Sequence, residues 1–271
     1  PVKTKNFTWD ASFNLTYVKN TIVDIDGEGG TTTLTLGTYR PLNGNVAHVK
    51  GMAAAQIMAY DFKRDANGKT IIGSDGIPVR GALTPMGSAI PNLYGGLNNS
   101  FSYKNISLSF LLDYKFGAKV LSATNHYSYV DGLNKHTLVG RETGVVADGV
   151  VLSADGTTSS ANTKNVVAQD YYRQLITNIS ELSVFNADFI KLRQVVLGYR
   201  LPNRWFSNSK VPFESVTLSV VGRNLLVLMK HTDNFDPEAG FSSNIRYAGT
   251  EGAQTPSTRT FGFTLNAKFK K

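Results

Sequence analysis

From residue 7 to residue 17 apolar and polar side chains alternate without a break. Phe7, Trp9, Ala11, Phe13, Leu15 and Tyr17 fall on one side, and Thr8, Asp10, Ser12, Asn14 and Thr16 on the other. A β-strand sends successive side chains to opposite faces, so this period of two predicts a strand with one greasy and one polar face. Residues 106–116 repeat it: Ile106, Leu108, Phe110, Leu112, Tyr114 and Phe116 oppose Ser107, Ser109, Asp113 and Lys115, with Leu111 the exception. Residues 195–201 set Val195, Leu197, Tyr199 and Leu201 against Val196, Gly198 and Arg200. Residues 216–228 form a further apolar-rich stretch, and a last strand sets Phe261, Phe263, Leu265, Ala267 and Phe269 against Gly262, Thr264, Asn266 and Lys268.

The clearest of these strands span 11 residues. Strands of globular domains are usually about five or six residues long, whereas a tilted strand crossing a bilayer needs about nine to eleven. Aromatic residues sit near the strand ends (Phe7, Trp9, Tyr17, Tyr114, Phe116), as in the girdles of a membrane barrel. A soluble β-sandwich with the greasy face as its core stays open on the pattern alone. Residues 95–103 and the strand from Ile106 read as a hairpin turning at Lys104–Asn105. Segments 18–45, 61–92 and 118–186 read instead as long loops, the first two rich in Gly, Asp, Asn and Pro. Short turns alternating with long loops are the habit of outer-membrane barrels. The only helix expected is a short one around 168–180, through Tyr171, Tyr172, Leu175 and Ile179. Seven or eight strands are too few to close a barrel carrying such loops, so its other strands are expected upstream, and Pro1 reads as a processing point or a fragment boundary.

Composition narrows the chemistry. There is no cysteine, which removes disulfides, zinc–cysteine sites and cysteine nucleophiles. The net charge is +8, but the cations read as scattered apart from Lys268, Lys270 and Lys271, so no nucleic-acid footprint is expected. No apolar run is long enough for a transmembrane helix, which leaves a strand-built span untouched. Asp24-Ile-Asp-Gly-Glu28 spaces three carboxylates as a Ca²⁺ loop would, yet lacks the later Glu of an EF-hand, so an acidic solvated loop is the expectation and no cofactor is assigned. Asp65-Ala-Asn-Gly-Lys69 and Ser74-Asp-Gly76 read as turns. His48, His126, His136 and His231 form no ligand or triad spacing. Asp236 and Glu238, two apart, read as loop organisers rather than a glycosidase pair. No catalytic residue is expected. Tyr127, Tyr129, Tyr171 and Tyr172, with Arg141 and Arg173, are candidates to stack on or clamp a cargo, or to dock a partner.

Several strings resemble the C-terminal region of SusC/RagA-type TonB-dependent transporters. Pro91-Asn-Leu-Tyr-Gly-Gly-Leu-Asn-Asn-Ser-Phe-Ser-Tyr-Lys-Asn105 is similar to a hairpin of that family, and Asn186-Ala-Asp-Phe-Ile-Lys-Leu-Arg-Gln-Val-Val-Leu-Gly-Tyr-Arg-Leu-Pro202 to the strand after it. Val221-Gly-Arg-Asn-Leu225, Phe235-Asp-Pro-Glu238 and Thr258–Phe269 follow in the family's order, and Gly140–Gly149 resembles one of its extracellular loops. Gly51-Met-Ala-Ala-Ala-Gln56 departs from the pattern, as do Lys270 and Lys271 after the closing aromatic. The resemblance implies an all-β chain, 1–271, forming the C-terminal strands of an antiparallel transmembrane barrel of about twenty-two strands with long extracellular loops. It implies a bacterial outer-membrane location, a plug and a TonB-contacting part elsewhere, a SusD-like lipoprotein partner, and an oligosaccharide or peptide cargo. Phe13, Leu15, Leu108, Phe110, Leu112, Phe261, Phe263, Leu265 and Phe269 would then face outer-membrane lipid. A soluble carbohydrate-binding β-sandwich is the alternative, and a β-rich glycoside hydrolase a weaker one, since no convergent acid pair is visible.

Overall fold

In the computed structural model, which describes residues 1–156, 158–207 and 212–270, the chain opens with β1 (Val2–Lys3), β2 (Phe7–Tyr17), β3 (Thr33–Tyr39) and β4 (Gly44–Val49). It continues through β5 (Gln56–Phe62), β6 (Arg80–Ser88), β7 (Leu93–Tyr103), β8 (Ile106–Phe116) and β9 (Lys119–Ser122). Helix α1 (Ala123–Val130), β10 (Val145–Val146), β11 (Val150–Leu152), β12 (Ser159–Ala161), β13 (Asn165–Val166) and helix α2 (Ala168–Asn178) follow. The last elements are β14 (Val184–Asn186), β15 (Phe189–Arg200), β16 (Phe213–Lys230), β17 (Thr250–Glu251) and β18 (Thr260–Phe269). The chain is thus mostly antiparallel strand, with few helices.

One 7-stranded antiparallel sheet, ordered β1-β2-β7-β8-β15-β16-β18, forms a wall. Its register sorts side chains by chemistry. Trp9, Phe101, Leu108, Leu197, Val220 and Phe263 face one another in a row across six strands. One residue along, the matching row on the opposite face is Thr8, Ser102, Ser107, Gly198, Ser219 and Thr264. The apolar side holds one inward polar group, Asn99, and the Trp9 indole N–H donates to its side-chain oxygen at 3.0 Å. Tyr114 lies against Gly95 and its hydroxyl donates to the Asn14 carbonyl at 2.8 Å; a Cβ on Gly95 would stand 2.2 Å from that carbonyl oxygen. A glycine is the only residue that fits this close approach.

Register shifts adjust the wall at three places, Ile190/Lys191, Leu192/Gln194 and Phe213/Ser215. Pairing slips between Leu192 and Gln194 on both sides of β15, so the apolar side passes from even residues to odd ones at Arg193. This is why the simple alternation becomes readable only from Val195. The hairpin β7–β8 turns in two residues, with Lys104 in the left-handed region at φ 53° and the Asn105 side chain donating to the Arg200 carbonyl at 3.0 Å.

Turns 4–6 and 104–105 and the described residues 201–207 lie at one end of the wall, and the three excursions, between β2 and β7, β8 and β15, and β16 and β18, leave from the other. The sequence reading of those excursions as loops is corrected here: they fold together. Strands β3–β6 make a four-stranded sheet, and β9 pairs antiparallel with β14 and parallel with β17, joining the second excursion to the third. The Ser180 hydroxyl accepts from the Tyr60 N–H and donates to the Asn43 carbonyl, joining the second to the first. The hydrophobic core lies here and not in the wall, in clusters around Leu42, Ile57 and Leu121 and around Ile72, Tyr171 and Ile179. The expected helix is α2, its C-terminal carbonyls capped by Arg80. Helix α1 was not expected. It is anchored from 127 residues away: fully buried Glu251 accepts from the Ser122 hydroxyl at 2.7 Å, the Thr124 N–H at 2.8 Å, the Thr124 hydroxyl at 2.9 Å and the Ala253 N–H at 2.6 Å. A carboxylate at a helix start complements the dipole and the unpaired N–H groups.

Removing that carboxylate strands several buried donors at once. Glu251→Ala is expected to cost about 2–4 kcal/mol, read as faster proteolysis within 117–188 and 231–259 while the wall strands stay protected.

Candidate functional site

At the excursion end of the wall, on its polar face, β15 carries two cations two residues apart. Buried Lys191 reaches Asp236 Oδ1 and Glu238 Oε2, both at 2.5 Å. Arg193 holds Asp113 of β8 at 2.6 Å and also binds Glu238 Oε1. The Ser257 hydroxyl donates to the other oxygen of Asp236 at 2.5 Å. The Lys191 ammonium also lies 4.8 Å from the Phe189 ring centroid. The network fastens the third excursion to the wall. Asp236 and Glu238 are therefore loop organisers, bound by Lys191 and not poised around a substrate. Burial pushes both carboxyls up, but the hydrogen bonds from Lys191 with Ser257, and from Arg193 with Lys191, outweigh it and hold each below its ordinary value.

The structure brings four of the six aromatic and arginine candidates to one cleft of about 700 Å³: Tyr129, Arg141, Tyr172 and Arg173 all line it. Their roles differ. The Arg141 guanidinium donates to the Thr137 carbonyl at 3.0 Å, to the Thr137 hydroxyl at 3.1 Å and to the Gly132 carbonyl, so it shapes the loop. Tyr172 donates to the Val139 carbonyl at 3.0 Å and stacks edge-on against Tyr171. Burial raises the phenol pKa of Tyr129, Tyr171 and Tyr172, which keeps them neutral donors. Tyr171 lies in the core, and exposed Tyr127 lies outside the cleft. Arg173 is exposed at the cleft.

The remaining sequence candidates resolve locally. Asp26 accepts N–H groups from Glu28, Gly29 and Thr31 in its own loop; bonding from Thr31, against a small burial effect, holds it at about 2. Asp24 pairs with Lys50 at 3.7 Å. Among the described residues no cluster of three or more His, Cys, Asp or Glu is arranged to hold a metal. Asp65 and Asp75 accept turn N–H groups, with Gly68 and Gly76 at positive φ. His126 is buried, and burial lowers its pKa, so it is neutral.

The wall's apolar face is exposed, with Phe13 at 63%, Leu108 at 39% and Phe263 at 88%. Leu15, Leu265 and Phe269 are exposed too, and Phe110 and Leu112 partly so, in register with the same rows; Phe261 stands at 73%. Aromatics gather at both ends, Phe7, Tyr103 and Tyr199 near the short turns and Tyr17 and Phe116 near the excursions. The ten residue steps between these rows cover about 25 Å after allowing for strand tilt. The cations are also not scattered in space. Lys3, Lys5, Lys104, Arg200, Arg204, Lys268 and Lys270 all lie at the short-turn end, with Glu214 as the acid near them. Sequence spacing hides this because the register, not the chain, brings them together.

No protein-family profile matches the chain. It aligns over 99% of its length with the TonB-dependent receptor SusC of Bacteroides thetaiotaomicron at 24% identity, and with the TonB-dependent receptor P26 of Formosa agariphila at 26%. Solved structures of the RagAB peptide importer, in its closed-closed and open-open states, superpose over 98% of the chain with TM-scores of 0.64 and 0.65 at 17% and 18% identity. The chain spans 25% and 28% of the length of those two receptors, and 28% and 27% of the two solved chains. The likeness read from the motifs therefore holds: homologues of this chain are SusC and other TonB-dependent receptors, and its fold is shared with RagAB.

Lys191→Met leaves Asp236 without its cation and Glu238 with Arg193 alone, and is expected to cost about 3–5 kcal/mol of loop anchoring, read as protease cleavage within 231–259. Because both carboxyls lie below their ordinary 3.8 and 4.5, the anchoring is complete above that range and is lost as pH falls below it through their folded values. Loop protection in the unchanged protein should be flat from neutrality to about pH 5 and collapse only in stronger acid.

Proposed function

We propose that this chain is the C-terminal part of the barrel of an outer-membrane TonB-dependent importer, and not an enzyme. It supplies lipid-facing wall, a polar lumen surface and the extracellular body. The whole barrel would have about twenty-two strands, with the plug and the TonB-contacting part outside this chain. A SusD-like lipoprotein would cover the extracellular mouth, and the cargo would be an oligosaccharide or a peptide, driven inward by the TonB complex.

One observation carries the reading: a seven-stranded sheet with an uncovered apolar face, whose three folded excursions all leave from one end. Among the described residues no second sheet packs on Phe13, Leu108 or Phe263, so the greasy face is not half of a sandwich core. An exposed apolar band flanked by aromatics is what a bilayer covers. The end-to-end alignment with TonB-dependent receptors supports the same assignment.

The first test is the native polypeptide that carries Phe269. The proposal expects a chain roughly four times this length, extracted from outer membranes only by detergent; a detergent-free chain of 271 residues would overturn it. Leu108→Arg or Phe110→Arg should each cost about 2–4 kcal/mol near mid-bilayer, visible as lost heat-modifiable mobility of the folded barrel. If the cleft handles cargo, Arg173→Ala should weaken cargo binding while shifting stability by less than about 0.5 kcal/mol. Arg141→Ala should instead lower the protection of loop 131–142 against proteolysis, because its bonds are to the loop itself.

A further inference from the structure

We propose that the short-turn end of the wall binds an anionic phospholipid, its phosphate among Lys104, Arg200 and Arg204 and an acyl chain in the apolar groove directly above them. The inference rests on the membrane placement proposed above and adds a ligand to it.

Two adjoining features carry it. The first is a polar pocket of about 440 Å³ at the turns, lined by Lys104, Arg200 and Arg204 together with Asn105 and Asn203. All three cations are exposed, and none is ion-paired with a carboxylate among the described residues. The undescribed positions 208–211 are Asn, Ser, Lys and Val, so the sequence supplies no acid there. The second is an apolar groove of about 550 Å³ across β15, β16 and β18, walled by Leu197, Tyr199, Leu218, Val220, Phe263 and Leu265. The two are one residue step apart: Tyr199 pairs with Ile106, and the next residue, Arg200, bonds through its N–H to the Asn105 carbonyl at 2.8 Å. The groove thus lies in the apolar rows nearest the turns, and the cations stand at the turn rim beyond it, with Arg200 leaving the backbone on the wall's polar side.

That order matches one kind of ligand. Hydrocarbon belongs against the apolar rows, and a phosphate belongs at the water boundary, where Lys and Arg attract anionic headgroups. A zwitterionic lipid would gain the groove but little from three uncompensated cations. Exposed Trp205 beside Arg204 adds an aromatic of the type that settles at headgroup level. With short turns on the periplasmic side, the lipid would come from the inner leaflet.

The test uses the full-length protein, delipidated in detergent and exchanged into mixed micelles holding equal phosphatidylglycerol and phosphatidylethanolamine. Native mass spectrometry then reads which lipid is retained. The proposal expects phosphatidylglycerol to be retained several-fold over phosphatidylethanolamine, and the ratio to fall to about one in the triple variant K104Q/R200Q/R204Q. A triple change at the excursion end, K63Q/K69Q/K164Q, should leave the ratio alone. If the triple variant does not assemble, the single variant Arg204→Gln, in an exposed turn, should still lower the ratio at least twofold. Equal retention of both lipids by the unchanged protein overturns the proposal, as does a preference that survives K104Q/R200Q/R204Q. Full displacement of the lipid preference by inorganic phosphate or by polyglutamate would assign the patch to a free anion or an acidic polypeptide, and also overturns it. Failure of the membrane reading looks different: the protein would leave the outer-membrane fraction without detergent and carry no lipid of either kind.

Discussion

Everything in this structure depends on the apolar face of the seven-stranded sheet having no cover among the described residues. An apolar row six strands wide, exposed at Leu108, Leu197, Val220 and Phe263, is far larger than the scattered apolar residues of an ordinary soluble surface. Burying such a face takes a second sheet, helices or hydrocarbon. The chain has the material for a second layer, in β3–β6 and two helices, but puts it at the end of the wall instead. Its buried residues are concentrated there, around Ile57, Leu121 and Ile179, while the wall's own rows stay open. The sequence therefore divides its apolar residues in two, one set buried in the protein interior of the excursions and one set left uncovered on the wall among the described residues.

Given that division, the excursions need anchors that do not rely on the wall's greasy side. Two carboxylate systems supply them, one of them fully buried. Glu251 holds the start of α1 through Ser122 and Thr124, and ties β17 to β9. Asp236 and Glu238 hold the third excursion to β15 through Lys191 and Arg193, on the polar face, where charge is compatible with water. Hydrogen-bonded charges give direction that apolar contacts lack, so each system fixes one loop in one place. The first sits in the body and the second at the body's junction with the wall, which makes the three excursions and the strands below them one mechanical unit.

What could be read from the sequence follows from how local each cause is. The period of two in β2, β8 and β18 is written in neighbouring residues, so those strands and their faces were legible. The register slips at Arg193 and near Asn224 interrupt the period, so β15 was recognised only in its second half and β16 only as an apolar stretch. Helix α2 showed itself through Tyr171, Tyr172, Leu175 and Ile179, whereas α1 has a weak local sequence and leans on an acid far downstream. The cleft candidates were chosen as side-chain types with a ligand in view. Tyr129, Arg141, Tyr172 and Arg173 do meet, but Tyr171 went into the core and Tyr127 elsewhere, because periodicity along a loop says nothing about which side of its folded body a residue takes.

The charge distribution is the clearest case of a property that exists only after pairing. Along the chain successive cations of the short-turn end stand up to about a hundred residues apart, and a window of any ordinary length sees one or two of them. The antiparallel register returns the chain to the same level at every turn, so whatever stands beside each turn accumulates there. The same mechanism gathers aromatics one row above and apolar side chains above those. At the opposite end the cations of β15 are matched by Asp113, Asp236 and Glu238. The two rims thus differ in kind: one uses its charge on itself to hold the excursions, and at the other Lys104, Arg200 and Arg204 have no carboxylate partner among the described residues.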